Sequence, residues 1–240
     1  MYLLRTNGNA RYSKLVRALP GKASREPPGP SPVSRDGAAA DQRRRILATT
    51  ADLAAEQGYQ ALTIETIVRG AKVGYATFYK HFADKEECFL ALLDVAIEDA
   101  IGPTEEAYAR EDGPWPDRVG AALGSLFERV AADPNMGRAF LVESLTAGPE
   151  GMSRHEAALK RLVPLLRPGR ELNPREAELP QSLEDTLASG VFWVLSQRLV
   201  AGEAEKMRGL LAETLEFVLR PYVGEEAARE AGEVATSVSA

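Results

Sequence analysis

Residues Thr63–Glu87 read TIETIVRGAKVGYATFYKHFADKEE. Thr63 is a strong N-cap residue, and Ile64, Ile67 and Val68 follow it at helical spacing. The chain turns around Ala71–Lys72–Val73, and a second short helix covers about Gly74 to His81. Asp84 with Glu87 three residues on is a capping box that opens a further helix, whose apolar stripe is Leu90, Leu93 and Ile97. Upstream, Asp41 to Gln57 forms a helix with Ile46, Thr50, Leu53 and Ala54 on one face, ended by Gly58. Three short helices with a tight turn between the second and third make a helix-turn-helix. Its logic is steric: the major groove admits one α-helix, which a small packed core must present outward. Ile67, Ala71, Val73 and Phe78 supply that core with Leu53 and Ile46, leaving Gly74, Tyr75, Thr77 and Lys80 on the outer face.

Outside this block the chain is patterned for helices throughout, so the fold class is all-α: a three-helix DNA-binding domain at 41–89, then a larger helical domain at 90–222. Punctuation by Gly and Pro sets helices at Trp115–Ala132, Asn135–Thr146, Gly151–Leu166, Ser182–Val200 and Glu203–Leu219. Residues 167–180 read as a loop and 223–240 as a C-terminal tail. Residues 1–40 read as a flexible basic tail, because Pro20, Pro27, Pro28, Pro30 and Pro32 among glycines and serines leave no room for a helix or central strand.

The 240 residues carry a net charge of -6, unevenly spread. Residues 1–40 balance to +5, 41–89 to 0 and 90–240 to -11, an asymmetry that suits halves facing different partners. The single cysteine, Cys88, excludes an internal disulfide and a four-thiolate zinc site. With only His81 and His155 beside it, no metal spacing appears and no cofactor is expected. No apolar stretch reaches the length of a membrane span, and the N-terminus lacks a secretory apolar segment; the expectation is a cytoplasmic protein without a membrane partner. No nucleophile elbow, Gly-rich phosphate loop or helix-borne His pair points to an enzyme.

The 63–87 block, with ILATTADLAAEQGYQALT (Ile46–Thr63) before it and TFYKHFADKEE (Thr77–Glu87) within it, resembles the N-terminal DNA-binding domain of TetR-like transcriptional regulators. The resemblance covers residues 43 to about 93. It implies a homodimer that reads double-stranded operator DNA and a C-terminal domain that senses a small-molecule effector. It places Thr63 near a phosphate, Tyr75 and Thr77 on the groove face, and Tyr79 with its hydroxyl on a backbone phosphate. His81 falls at the reading helix's end, and Lys85 at a helix start suited to phosphate. Lys80 and Arg43–Arg45 are less specific contributors. Two residues depart from the family pattern: Lys72 stands where glycine is usual, and Gly74 where a small polar residue is. Glu65 sits near the expected phosphate surface, where it can repel DNA or accept from cytosine N4.

For the second half, Leu183, Leu187, Val191, Val194, Leu195 and Arg198, with Leu211, Leu215 and Val218 on the next helix, are the candidate dimer face. Leu123, Phe127, Met136, Phe140, Met152, His155, Leu159, Phe192 and Trp193 are the candidate walls of an adaptable apolar effector pocket. The competing reading is a helical binding or scaffolding protein that no longer holds DNA.

Overall fold

The computed structural model describes residues 35–238, with side chains for 37–235. Ten α-helices run through this span: α1 Arg35–Gln57, α2 Ile64–Ala71, α3 Tyr75–His81, α4 Lys85–Arg110, α5 Trp115–Ala132, α6 Pro134–Leu141, α7 Pro149–Leu166, α8 Leu183–Val200, α9 Leu211–Val223 and α10 Glu225–Val238. There is no strand among the described residues. Of the flexible tail expected over residues 1–40, residues 1–34 fall outside them, and residues 35–40 are not tail but the first turns of α1.

The starts of α2 and α4 obey the capping chemistry read from the sequence. Thr63 Oγ1 accepts from the Thr66 N–H at 3.1 Å, and Asp84 Oδ1 accepts from the Glu87 N–H at 2.8 Å. Helix α1 begins before Asp41, because Ala38–Ala40 are strong helix formers that offset Gly37 in its first turn. Pro149 is the first residue of α7 rather than its preceding stop; proline loses nothing at a position whose N–H has no helical partner.

Three further elements differ from expectation. The helix expected to reach Thr146 ends at Leu141, and residues Glu143–Leu145 form a 3-10 turn. The helix expected from Glu203 is a 3-10 segment, Ala204–Leu210, before α9 proper. The expected C-terminal tail is helix α10: Gly224, at φ 84°, reverses the chain, Glu225 and Glu226 favour the new helix's positive end, and Ala228 is fully buried. A Cβ on Gly232 would stand 3.0 Å from the Ala212 carbonyl oxygen, so α9 and α10 pack backbone to backbone there.

Helix α4 ties the two halves together. The expected domain boundary at residue 89/90 falls inside it. Its first turns pack on α1, with Cys88, Phe89, Leu92 and Leu93 fully buried, and its remainder packs along α5 and α7.

Candidate nucleic-acid interface and effector cavity

The reader is built on Ile46, Ile67, Ala71 and Phe78, all buried, with Leu53 and Val73 packed against them. The turn between α2 and α3 is a Schellman closure. Lys72 sits in the left-handed region at φ 54°, ψ 46°, and the Val73 N–H returns to the Val68 carbonyl at 3.0 Å. Lys72 is the one non-glycine residue with positive φ among the described residues. Gly74 is the N-cap of α3, and no atom lies within 4 Å of where its Cβ would be, so the exposed end of α3 is open to an approaching ligand.

Helix α3 then sorts its side chains by face. Phe78 is fully buried, Thr77 half-buried, and Tyr75 and Tyr79, one turn apart, are 50% and 55% exposed. Two bulky aromatics left in water on a seven-residue helix are unfavourable for the monomer alone. Glu65, Lys72 and Lys80 are exposed around them, and Thr63 is exposed while engaged in its cap. Arg43 lies over the Phe82 ring at 4.8 Å, and Arg45 donates to the Ala71 carbonyl at 3.3 Å, so α1 clasps the ends of both α2 and α3. His81 is half-buried and its pKa is lowered, first by burial and then by Arg43 and Lys80.

Lys85 has a more internal task than phosphate contact alone. Its Nζ reaches the Tyr59 and Gln60 carbonyls at 3.4 and 3.5 Å and lies 4.6 Å from the Tyr59 ring centre. The same turn is gripped from the other domain. Buried Glu143 accepts from the Tyr59 N–H at 2.9 Å, and Gln60 Nε2 donates to the Thr146 carbonyl at 2.7 Å. Neither Tyr59, Gln60 nor Glu143 carried a sequence signal, because their pairing spans more than 80 positions.

In the second half, a small apolar cavity of about 40 Å³ lies between α4, α5, α7, α8 and α9. Thr104 and Tyr108 of α4 face Leu123, Leu162, Val191 and Val218 across it. Of the expected effector walls only Leu123 lines this cavity. Phe140, His155 and Phe192 form a separate aromatic cluster, with ring centres 5.2 to 6.0 Å apart, and Ser144 Oγ stands 3.1 Å from His155 Nδ1. Phe127 is buried and Leu159 half-buried in the core, while Met152 is 45% and Trp193 65% exposed, turned away from it. Met136 lines a cleft of about 600 Å³ between α1 and the effector domain, together with Arg43, Arg44, Val95 and Arg129.

The expected dimer residues divide similarly. Leu187, Val191, Leu195, Leu215 and Val218 are buried within the single chain, and Leu183, Val194, Arg198 and Leu211 are half-buried. A helix apolar on several sides gives no phase, so the sequence did not say which side turns inward. The side left in water carries Trp193, Val200 and Phe217 at 65%, 55% and 52% exposure, with the Phe217 ring against Gly190.

Residues 46–92 match the family model described as bacterial regulatory proteins, tetR family. Residues 46–92 are a TetR-family DNA-binding domain. A TetR-family relative, the HTH-type transcriptional repressor KstR of Mycolicibacterium smegmatis, is 26% identical over 114 residues, a match spanning 46% of this chain and 55% of that one. The chain thus aligns with about half the length of that curated relative. The fatty acid degradation regulator FadR of Bacillus halodurans has the same fold, with a TM-score of 0.65 at 17% identity over 74% of this chain and 94% of that one. The transcriptional regulator FadR of Bacillus subtilis, solved in complex with stearoyl-CoA, superposes with a TM-score of 0.58 at 18% identity, covering 73% and 97% of the two chains. The TetR-family match falls on the reader and the first turns of α4, which is where Thr63, Tyr75, Thr77, Tyr79 and Lys85 lie.

Proposed function

We propose that this TetR-family regulator binds a palindromic operator as a homodimer, represses transcription, and is released by a small, largely apolar effector. The observation that carries the DNA reading is the outward pair Tyr75 and Tyr79 on α3, held over a fully buried Phe78 beside exposed Lys80. In this reading Tyr75 and Thr77 meet base edges, Tyr79 and Lys80 meet phosphates, and Thr63 and Lys85 support the backbone contacts at the starts of α2 and α4. The -11 balance of residues 90–240 repels phosphate from the effector domain, so DNA approaches the neutral reader end.

The dimer forms through the exposed side of α8 and α9, centred on Trp193 and Phe217, in an isologous four-helix contact. Two readers in such a dimer must sit about 34–36 Å apart, or at a multiple-turn equivalent, to meet successive major grooves. The effector enters the apolar cavity under Thr104 and Tyr108. At about 40 Å³ the cavity holds little more than a water or two, so a larger effector must open it. Opening displaces α4 and the α8–α9 pair together and shifts the population toward a spacing that no longer fits. That KstR is a repressor and that the Bacillus subtilis FadR holds stearoyl-CoA favour repression and a hydrocarbon-bearing effector.

The test is a gel shift, at stated salt, against DNA upstream of the protein's own gene. Sequence-specific retention that weakens with Tyr79→Ala supports the proposal. Retention indifferent to sequence and to that substitution favours the binding or scaffolding role instead.

A further inference from the structure

Helix α4 contains a proline far from either end. Pro103 lies seven residues before the last residue of a helix that runs from Lys85 to Arg110. Proline has no N–H, and its ring crowds the carbonyl four residues back, so the Asp99 carbonyl loses its helical donor. Two neighbours weaken the same turn. Gly102 adds backbone freedom, and Thr104 Oγ1 turns back to the Ala100 carbonyl at 2.8 Å, a bond that bends helices.

The stranded carbonyl is met by another helix. Arg129 of α5 donates from Nε to the Asp99 carbonyl oxygen at 3.1 Å, and its Nη2 pairs with the Asp99 carboxylate. One guanidinium thus replaces the missing helical hydrogen bond and fastens the residue that lost it. Pro164 of α7 and Pro221 of α9 also lie inside helices, each two residues from the end. No side chain among the described residues meets the carbonyls they strand. The splint is therefore particular to α4, where a bend has the greatest leverage. On one side of Pro103, Phe89 and Leu92 are fixed in the reader's core; on the other, Thr104 and Tyr108 line the cavity. Arg129 itself stands at the cleft between α1 and the effector domain, beside Arg43 and Arg44.

We propose that Pro103 makes a hinge in α4 and that Arg129 is the positioning residue that splints it, setting the angle between the DNA reader and the effector domain. The consequence for operator affinity rests on the regulator reading above; the hinge does not.

The test is a double-mutant cycle on the full chain: wild type, Arg129→Ala, Pro103→Ala and both together. Amide hydrogen exchange is read across α4, and binding is read by anisotropy against a duplex that the wild type has selected from a random-sequence library. Arg129→Ala should speed exchange in the turns around Pro103 by about tenfold and weaken the duplex by a similar factor, the usual size for losing a charge-assisted hydrogen bond. Pro103→Ala restores the helical donor to Asp99, so in that background Arg129→Ala should change neither reading by more than about twofold. Asp99→Asn, which keeps the carbonyl and loses the ion pair, should stay near wild type. Equal losses from Arg129→Ala in both backgrounds would overturn the proposal, because Arg129 would then only pin α5 to α4. Unchanged exchange in Arg129→Ala would overturn it as well. If no duplex is selected at all, the regulator reading fails and the exchange cycle still decides the hinge.

Discussion

Replacing Trp193 by aspartate should turn the proposed dimer into monomers without unfolding them. Trp193 is 65% exposed and Phe217 52% exposed in the single chain, which leaves roughly 160 and 100 Å² of apolar side chain in water given the size of these residues. Covering both in each of two protomers removes about 520 Å² from water, an upper limit of about 13 kcal/mol at about 25 cal/mol per Å². Trp193 accounts for about 8 kcal/mol of that limit, and even half of it is about a thousandfold in the dissociation constant. Trp193→Asp also brings a charge into the contact, whose desolvation opposes dimerisation further. Sedimentation equilibrium at low micromolar concentration reads the outcome, with circular dichroism as the control for folding. Phe217→Asp should act in the same direction and less strongly. If both variants sediment as wild-type dimers, this side of α8 and α9 is not the interface.

Other expectations follow from single contacts. Glu143→Ala leaves the Tyr59 N–H without its acceptor, so thermal unfolding should show a loss of about 1.5–3 kcal/mol, with faster amide exchange at Tyr59; an unchanged midpoint would remove the interdomain latch. His155 is held below its ordinary value of 6.5, chiefly by burial, against smaller opposing effects of the Phe140 backbone and Glu156. The unfolded chain then takes up a proton more readily than the folded one. Stability is complete above the ordinary histidine range and falls as pH drops through it. His81, lowered in the same direction, adds to the trend, and His155→Gln should flatten it in urea titrations between about pH 7.5 and about pH 5.5. Burial pushes the Cys88 thiol up to about 11, so iodoacetamide should label it in the denatured protein and leave the native protein unmodified near neutral pH.

The reader was legible because its chemistry is local. Thr63 and Asp84 cap the helices that follow them, Gly58 ends the one before, and the spacing of Ile67, Ala71 and Phe78 fixes which side of α3 turns out. Lys72, standing where glycine is usual, takes the left-handed conformation itself and lets the Val73 N–H close α2 on the Val68 carbonyl. The effector half was legible as helices and much less so as faces. Leu187, Val191 and Leu195 share α8 with Phe192 and Trp193, and a helix with apolar residues nearly all round carries no marker of inside and outside. Cavity residues Thr104 and Tyr108 lie past a Gly–Pro pair that reads as an ending, yet α4 continues through it, with Arg129 donating to the stranded Asp99 carbonyl. The turn at Glu143–Leu145 and helix α10 were hidden for a related reason: each is defined by what it packs on, which lies far away in sequence.

The central claim is that α3 reads base edges. Selection of duplexes from a random library by wild type and by the Tyr75→Ala and Thr77→Ala variants tests it most directly. The wild type should enrich a palindrome with half-sites set one helical turn or a multiple apart, and the two variants should enrich altered half-sites while keeping the same spacing. Enrichment of one unchanged motif by all three proteins, or of none by the wild type, would contradict it.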